Sequence, residues 1–207
     1  MSHLTMCKRP VRSIGLLLVP DADLHRNQGD VYTHYHQDLL YTYMGDNRGF
    51  GPEHDMAQTN IFNEMSSQPG LSVEMAPFLY SGNEYYNVVG TQTGTDYPEE
   101  IFVVGAHVDS VNNPGADDNG TGTAMVMEIA RVLSQYRSPR TIKYCAFDRE
   151  EQGLRGSTAF VADHTGQNIV MAVTADMVGH DSGAYGMDIY STSSSAWTST
   201  ASPHRAK

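Results

Sequence analysis

The feature that most constrains the fold is an alternation of short apolar runs and helical patterns after residue 100. Three largely apolar runs read IFVVGA (101–106), TIKYCAF (141–147) and IVMAVTA (169–175). Runs of this length are typical of strands buried on both faces of a sheet. Segments 123–136 and 156–164, which separate them, carry helical periodicity. This order predicts right-handed crossovers, and so an α/β fold with a mixed, largely parallel central sheet and flanking helices.

Three more elements are predicted ahead of this block. Residues 54–66 place apolar side chains at helical spacing and predict an amphipathic helix. Residues 71–80 and 84–94 are extended candidates, and the SGN sequence between them supplies turn residues. We therefore expect a β-hairpin to precede the α/β block.

Composition indicates one globular domain with extensions at both ends. The chain has 207 residues, of which 40% are hydrophobic and 18% are charged. We interpret residues 1–30 as an N-terminal extension and residues 31–190 as the domain. Residues 191–207, of which nine are Ser or Thr, form a tail.

Charge and hydropathy exclude several partners. The formal net charge of −11 argues against nucleic acid or an anionic membrane surface as the main partner. The longest apolar run, residues 14–20, is far too short to span a bilayer and resembles a signal peptide only weakly. Cys145 lies in a strand-like apolar run, which predicts a buried free thiol.

Polar residues follow each of the three predicted parallel strands. His107 and Asp109 come after the first strand, Glu150 and Glu151 after the second, and Asp176 after the third. A loop with two adjacent aspartates, Asp117 and Asp118, leads into the first crossover helix. Because ligands bind at the carboxyl ends of parallel strands, we expect these groups to meet at one edge of the sheet.

The clustered carboxylates need a counter-charge, and a divalent metal supplies it. Imidazole with carboxylates suits zinc, with manganese or cobalt as substitutes. Asp109 can orient the ring of His107 through its other nitrogen, while one member of the Glu150–Glu151 pair ligates and the other acts as a base. Taken singly, each group also has an ordinary interpretation: a structural histidine, a solvated glutamate pair or a turn rich in aspartate.

Four ordered motifs resemble the co-catalytic two-zinc aminopeptidases, the bacterial leucyl aminopeptidase and carboxypeptidase Q group. They are GAHVDS, PGADDNGTG, EEQGLRGS and TADM. Weaker similarity extends through residues 48–65 and 87–94, so the resemblance covers roughly residues 40–190. It implies a zinc exopeptidase fold of the phosphorylase/hydrolase type and hydrolysis of the first peptide bond of substrates with a free N-terminus.

The resemblance also implies a role for each site residue. The implied zinc ligands are His107, Asp117, Glu151 and Asp176, with Asp117 bridging two zinc ions. Glu150 corresponds to the general base and Asp109 to the partner of His107. In the family the peptide bond after the bridging aspartate is cis, which here would be Asp117–Asp118.

One departure from the family concerns the last zinc ligand, a histidine in a segment beyond the end of this sequence. His180 follows Asp176 too closely to replace it, and His204 lies in a sequence unlike the family. We therefore expect a C-terminally incomplete domain whose second zinc site is one ligand short. Two alternatives to an aminopeptidase remain, a glutaminyl cyclase-like acyltransferase with one zinc and a non-catalytic interaction module of the same fold.

Overall fold

A computed structural model describes residues 47–179 of the chain. The predicted extension at 1–30, the tail at 191–207, His180 and His204 lie outside this range. Every helix and strand predicted within it is present. In chain order the elements are α1 (Pro52–Ser67), β1 (Leu71–Tyr80), β2 (Asn83–Gln92), β3 (Tyr97–His107), α2 (Gly122–Leu133), β4 (Arg140–Phe147), α3 (Arg155–Asp163) and β5 (Asn168–Thr174).

The five strands form one mixed sheet in the order β1-β2-β4-β3-β5. Strands β1 and β2 form the predicted antiparallel hairpin, and β2 pairs antiparallel with β4. The hairpin turns at Ser81 and Gly82, whose φ angles of 50° and 80° are both positive. Two-residue turns with this backbone match the twist of the flanking strands, which explains the SGN sequence.

Strands β3, β4 and β5 form the parallel part of the sheet. The register pairs His107 with Phe147 on β4, and Gly105 with Thr174 on β5. The carboxyl ends of these strands therefore lie almost level at one edge. The residues that follow them enter the same region, as the alternating pattern predicts.

Helices cover both faces of the sheet. On one face, α1 and α2 pack Ile61 and Met127 against the sheet, where Tyr144 is also fully buried. On the other face, α3 places Phe160 against Phe147, with ring centroids 5.5 Å apart. Because strand residues alternate between faces, β4 contributes to both clusters.

Two smaller predictions concern Cys145 and the membrane. Cys145 is fully buried as a free thiol on β4, which confirms its predicted state. Within residues 47–179, none of the helices combines the length and the apolar character needed to cross a bilayer.

We expect Ile61→Ala to lower the free energy of unfolding by about 2–5 kcal/mol, because it leaves a cavity between α1 and the sheet. Ile61 is fully buried, whereas Met56 on the same helix is 46% exposed. Urea denaturation measures the effect, and Met56→Ala, expected to change stability by about 0.5 kcal/mol or less, is the control. Equal effects of the two substitutions would contradict this packing.

Candidate metal centre

The carboxyl edge of the parallel strands brings an imidazole together with three carboxylates. Nε2 of His107, the last residue of β3, lies 3.2 Å from Oδ1 of Asp118. The same nitrogen lies 3.7 Å from Oδ1 of Asp176, which follows β5. It lies 3.9 Å from Oε2 of Glu150, which follows β4. The three carboxylates follow three different strands, β3, β4 and β5, and meet around this ring nitrogen.

Asp109 sets the orientation of the His107 ring. Nδ1 of His107 lies 3.1 Å from the backbone oxygen of Asp109 and 3.5 Å from its carboxylate. A carbonyl oxygen only accepts hydrogen bonds, so Nδ1 carries the proton in this contact. In the neutral ring, the lone pair on Nε2 then faces Asp118 and Asp176, as a metal ligand requires.

Asp109 also holds the loop after β4 that carries Glu150 and Glu151, which we call the glutamate loop. The carboxylate of Asp109 is fully buried and accepts backbone N–H bonds from Glu150 at 3.0 Å and Glu151 at 3.2 Å. Burial by itself raises the pKa of Asp109, but the hydrogen bonds from His107 and from these amides outweigh it and lower the pKa. Asp109 therefore stays ionised and joins β3 to the loop after β4.

The clustered carboxylates shift the pKa values of their neighbours. Burial acts to lower the pKa of His107, but Asp109, Glu150 and Asp176 outweigh it and raise the pKa to about 9. The pKa of Glu150 is raised, first by burial and then by the charges of Asp109 and Asp176. In the metal-free protein, protonated His107 thus compensates part of the negative charge.

Asp118, rather than Asp117, lies beside His107. The turn at Ala116–Thr121 is not helical at Asp118, where φ is −99° and ψ is 94°, so the two adjacent aspartates point in different directions. Oδ1 of Asp117 instead accepts hydrogen bonds from the hydroxyl of Thr121 and the backbone of Gly179. The cis peptide bond is likewise one residue later than expected, at Asp118–Asn119.

The loop that carries Asp117 and Asp118, which we call the aspartate loop, also holds the segment that carries Asp176. Asn119 is fully buried; its amide donates to the carbonyl of Ala175, and its oxygen accepts from the backbone of Met177. Asp117 holds Gly179 in the same way, at 2.8 Å. Asn119 begins an apparent glycosylation sequon that we regard as fortuitous, and its complete burial agrees with that interpretation.

A buried ion pair supports the glutamate loop from the opposite side. Nε2 of His54 on α1 lies 2.8 Å from Oδ1 of Asp148, the residue after β4. Asn87 accepts the backbone N–H of Asp148 and donates to the carbonyl of Gly156, so it closes the loop at both ends. Sequence analysis did not select His54 or Asn87, since a buried polar residue 60 positions or more from its partner leaves no local pattern.

The donor atoms fit a zinc ion in kind and in spacing. Ligand atoms of His107, Asp118 and Asp176 all lie within 4.8 Å of one another. Tetrahedral zinc with bonds of about 2.0 Å separates its ligand atoms by about 3.3 Å. One imidazole nitrogen with two carboxylate oxygens is a usual zinc donor set. Burial, and then the charge of Asp118, raise the pKa of Glu151, so this glutamate belongs to the same acidic group.

Comparisons with known proteins find zinc metalloproteases and aminopeptidases among the proteins similar to this chain. The sequence profile described as peptidase family M28 matches residues 87–206, more than half of the chain. This range includes residues 191–206, which we assigned to the tail. A probable zinc metalloprotease of Pyrenophora teres f. teres is 30% identical over 71% of this chain and 34% of its own length. Aminopeptidase YwaD of Bacillus subtilis is 43% identical over 38% of this chain and 17% of its own length.

Solved structures agree on the fold. The LapA aminopeptidase of Legionella pneumophila superimposes with a TM-score of 0.63 at 24% identity, over 84% of this chain and 50% of that one. LapB of the same organism gives a TM-score of 0.58 at 24% identity over 74% of this chain and 47% of that one. The chain thus spans about half the length of these structures, and 34% and 17% of the length of the two curated relatives above.

The raised pKa of His107 predicts a pH-dependent stability in the metal-free protein. The folded pKa of about 9 lies above the unfolded value of about 6.5. The stabilisation is therefore complete below about pH 6.5 and is lost as the pH rises through about 9. Urea denaturation of the zinc-free protein between pH 6 and 9.5 measures it. His107→Gln should lack this part of the decline, and parallel profiles for the two proteins would refute the assignment.

Proposed function

The chain belongs to peptidase family M28, and on that premise we propose that it is a zinc-dependent aminopeptidase. The observation that carries the proposal is Nε2 of His107, which faces Asp118 at 3.2 Å and Asp176 at 3.7 Å while Asp109 holds Nδ1. Aminopeptidases among the relatives support the choice of a free N-terminus as the substrate feature. The substrates are peptides, whose first peptide bond is hydrolysed.

Four side chains are proposed to hold zinc. His107 and Asp176 would hold one ion, Glu151 would hold a second, and Asp118 would serve both. Asp118 takes the role that the resemblance gives to Asp117, because of these two adjacent aspartates it is Asp118 whose carboxylate lies beside His107, while that of Asp117 accepts from Thr121. The assignment of Glu151 is supported by Asp109, which accepts its backbone N–H, and by the effect of Asp118 on its pKa, which is raised first by burial and then by that charge.

Bound zinc would polarise the substrate carbonyl and acidify the attacking water. Glu150 would take the proton from that water on Oε2 and pass it to the leaving amine. Its raised pKa suits the first transfer, because a carboxylate with a higher pKa is a stronger base toward that water. Asp109 contacts the ring of His107 and the backbone of Glu150, and so links the segment that carries the base to the ligand.

Glu150→Ala should leave zinc content unchanged and lower kcat about 10²–10⁴-fold, because it removes the base and no ligand. Zinc per chain is counted by elemental analysis, and hydrolysis of an aminoacyl-anilide measures activity with and without added zinc. Glu99→Ala, at the opposite edge of the sheet, is the matched control. Loss of zinc from Glu150→Ala would reverse the roles of the two glutamates. The same zinc count in the unsubstituted protein tests the expectation that the second site is a ligand short.

The roles of the two adjacent aspartates, Asp117 and Asp118, can be distinguished by experiment. Asp118→Asn should remove a metal ligand and lower zinc affinity by at least about 10-fold, as expected when a charged ligand is lost. Asp117→Asn should lower the unfolding free energy through its bonds to Thr121 and Gly179 but retain zinc. Zinc titration against a chelator, with urea denaturation of the same variants, measures both effects. If Asp117→Asn instead lowered zinc affinity more than Asp118→Asn, the bridging role would belong to Asp117.

A further inference from the structure

A fully buried arginine lies beneath the loop that carries Asp118. Arg48 has no exposed surface. Its Nε donates to the carbonyl of Val108 at 2.8 Å, Nη1 donates to that of Pro114 at 2.5 Å, and Nη2 donates to that of Gly115 at 2.6 Å. One planar guanidinium thus binds the start and the end of the turn between His107 and the aspartates. Lysine could not reproduce this fork.

Gly115 of the aspartate loop leaves room for this side chain. A Cβ atom added to Gly115 would lie 2.7 Å from Nη2 of Arg48, and 2.5 Å from both the carbonyl oxygen of Asp118 and Cβ of Ser110. Gly115 also has a φ of 57°, which disfavours other residues. Gly115 therefore serves the packing of Arg48 as well as the turn.

The residues next to Arg48 hold the glutamate loop. The carbonyl of Gly49 accepts a hydrogen bond from Nη1 of Arg149, the residue before Glu150. The guanidinium of Arg149 lies 4.3 Å from the ring centroids of both Phe50 and Tyr85. The three residues 48–50 thus contact two of the three segments that supply the candidate centre, and they fix the loop after β3 relative to the loop after β4.

We propose that Arg48 is a positioning residue for the metal centre, which holds the turn 108–115 so that Asp118 lies against His107. This inference rests on the proposed function, since it assigns to Arg48 the spacing of the proposed zinc ligands. Arg48 touches neither ligand in this role; it acts through the backbone that connects them.

A positioning role for Arg48 predicts that its loss weakens zinc binding, whereas its positive charge, taken alone, predicts that its loss strengthens zinc binding. Burial lowers the pKa of Arg48, and the charges of Asp109 and Asp118 act to raise it, so the guanidinium interacts with Asp118, one of the proposed zinc ligands. If this charge dominated, its removal would strengthen the binding of a cation. If positioning dominates, removal of the fork weakens binding whether or not the charge is kept. The sign of the change distinguishes the two roles.

The test compares Arg48→Lys, which keeps the charge, with Arg48→Met, which keeps much of the length. Zinc affinity is measured by competition with a chelator, and folding of the zinc-free protein is measured by circular dichroism and thermal unfolding. Both variants should bind zinc about 10–100-fold more weakly, the range found when residues that support metal ligands are removed. Arg140→Met is the matched control, because Arg140 pairs with Glu100 at the opposite edge of the sheet and should leave zinc affinity unchanged.

Affinity within twofold of the unsubstituted protein, or tighter binding by Arg48→Met, would overturn the proposal. If both variants fail to fold, Ser110→Ala decides, because it removes only the hydroxyl that accepts the backbone N–H of Arg48 and donates to Asn113. It should weaken zinc binding by more than twofold, and a smaller change would overturn the proposal. Failure of the unsubstituted protein to bind zinc would instead refute the proposed function, so the two failures are distinguishable.

Discussion

The candidate centre depends on one buried carboxylate, that of Asp109. It contacts Nδ1 of His107 and accepts the backbone N–H groups of Glu150 and Glu151, so it connects the loop after β3 to the loop after β4. A buried ionised carboxylate is stable only when its oxygens are hydrogen-bonded, and these three contacts satisfy that requirement. The relative position of the imidazole and the glutamates follows from the same requirement.

Sequence periodicity predicted the architecture well because each apolar run had a single consistent interpretation. The runs at 101–106, 141–147 and 169–175 are the cores of three parallel strands, and SGN is the hairpin turn. Level strand ends then follow from the register of β3 with its two neighbours. This is why the rule for parallel sheets predicts from sequence that His107, Glu150 and Asp176 lie at one edge.

Prediction from sequence was weaker where the backbone conformation of one residue decides which side chain reaches the candidate centre. Asp117 and Asp118 are chemically identical, and only the extended conformation at Asp118 directs that carboxylate toward His107. Arg48 was not identified because its partners are carbonyl groups about 60 residues away, and every residue type carries a carbonyl. The same holds for Asn87, whose contacts with Asp148 and Gly156 involve only backbone atoms.

The way Asp176 reaches the centre has a consequence for the order of folding. Its position depends on β5 pairing with β3 and on the bonds of Asn119 to the segment that follows β5. His107 and Asp118 are only 11 residues apart in the sequence, so their approach closes a short loop, whereas Asp176 requires a crossover of more than 50 residues and a larger loss of chain entropy. A complete donor set thus exists only after the last described strand has docked, and zinc binding would stabilise that late step.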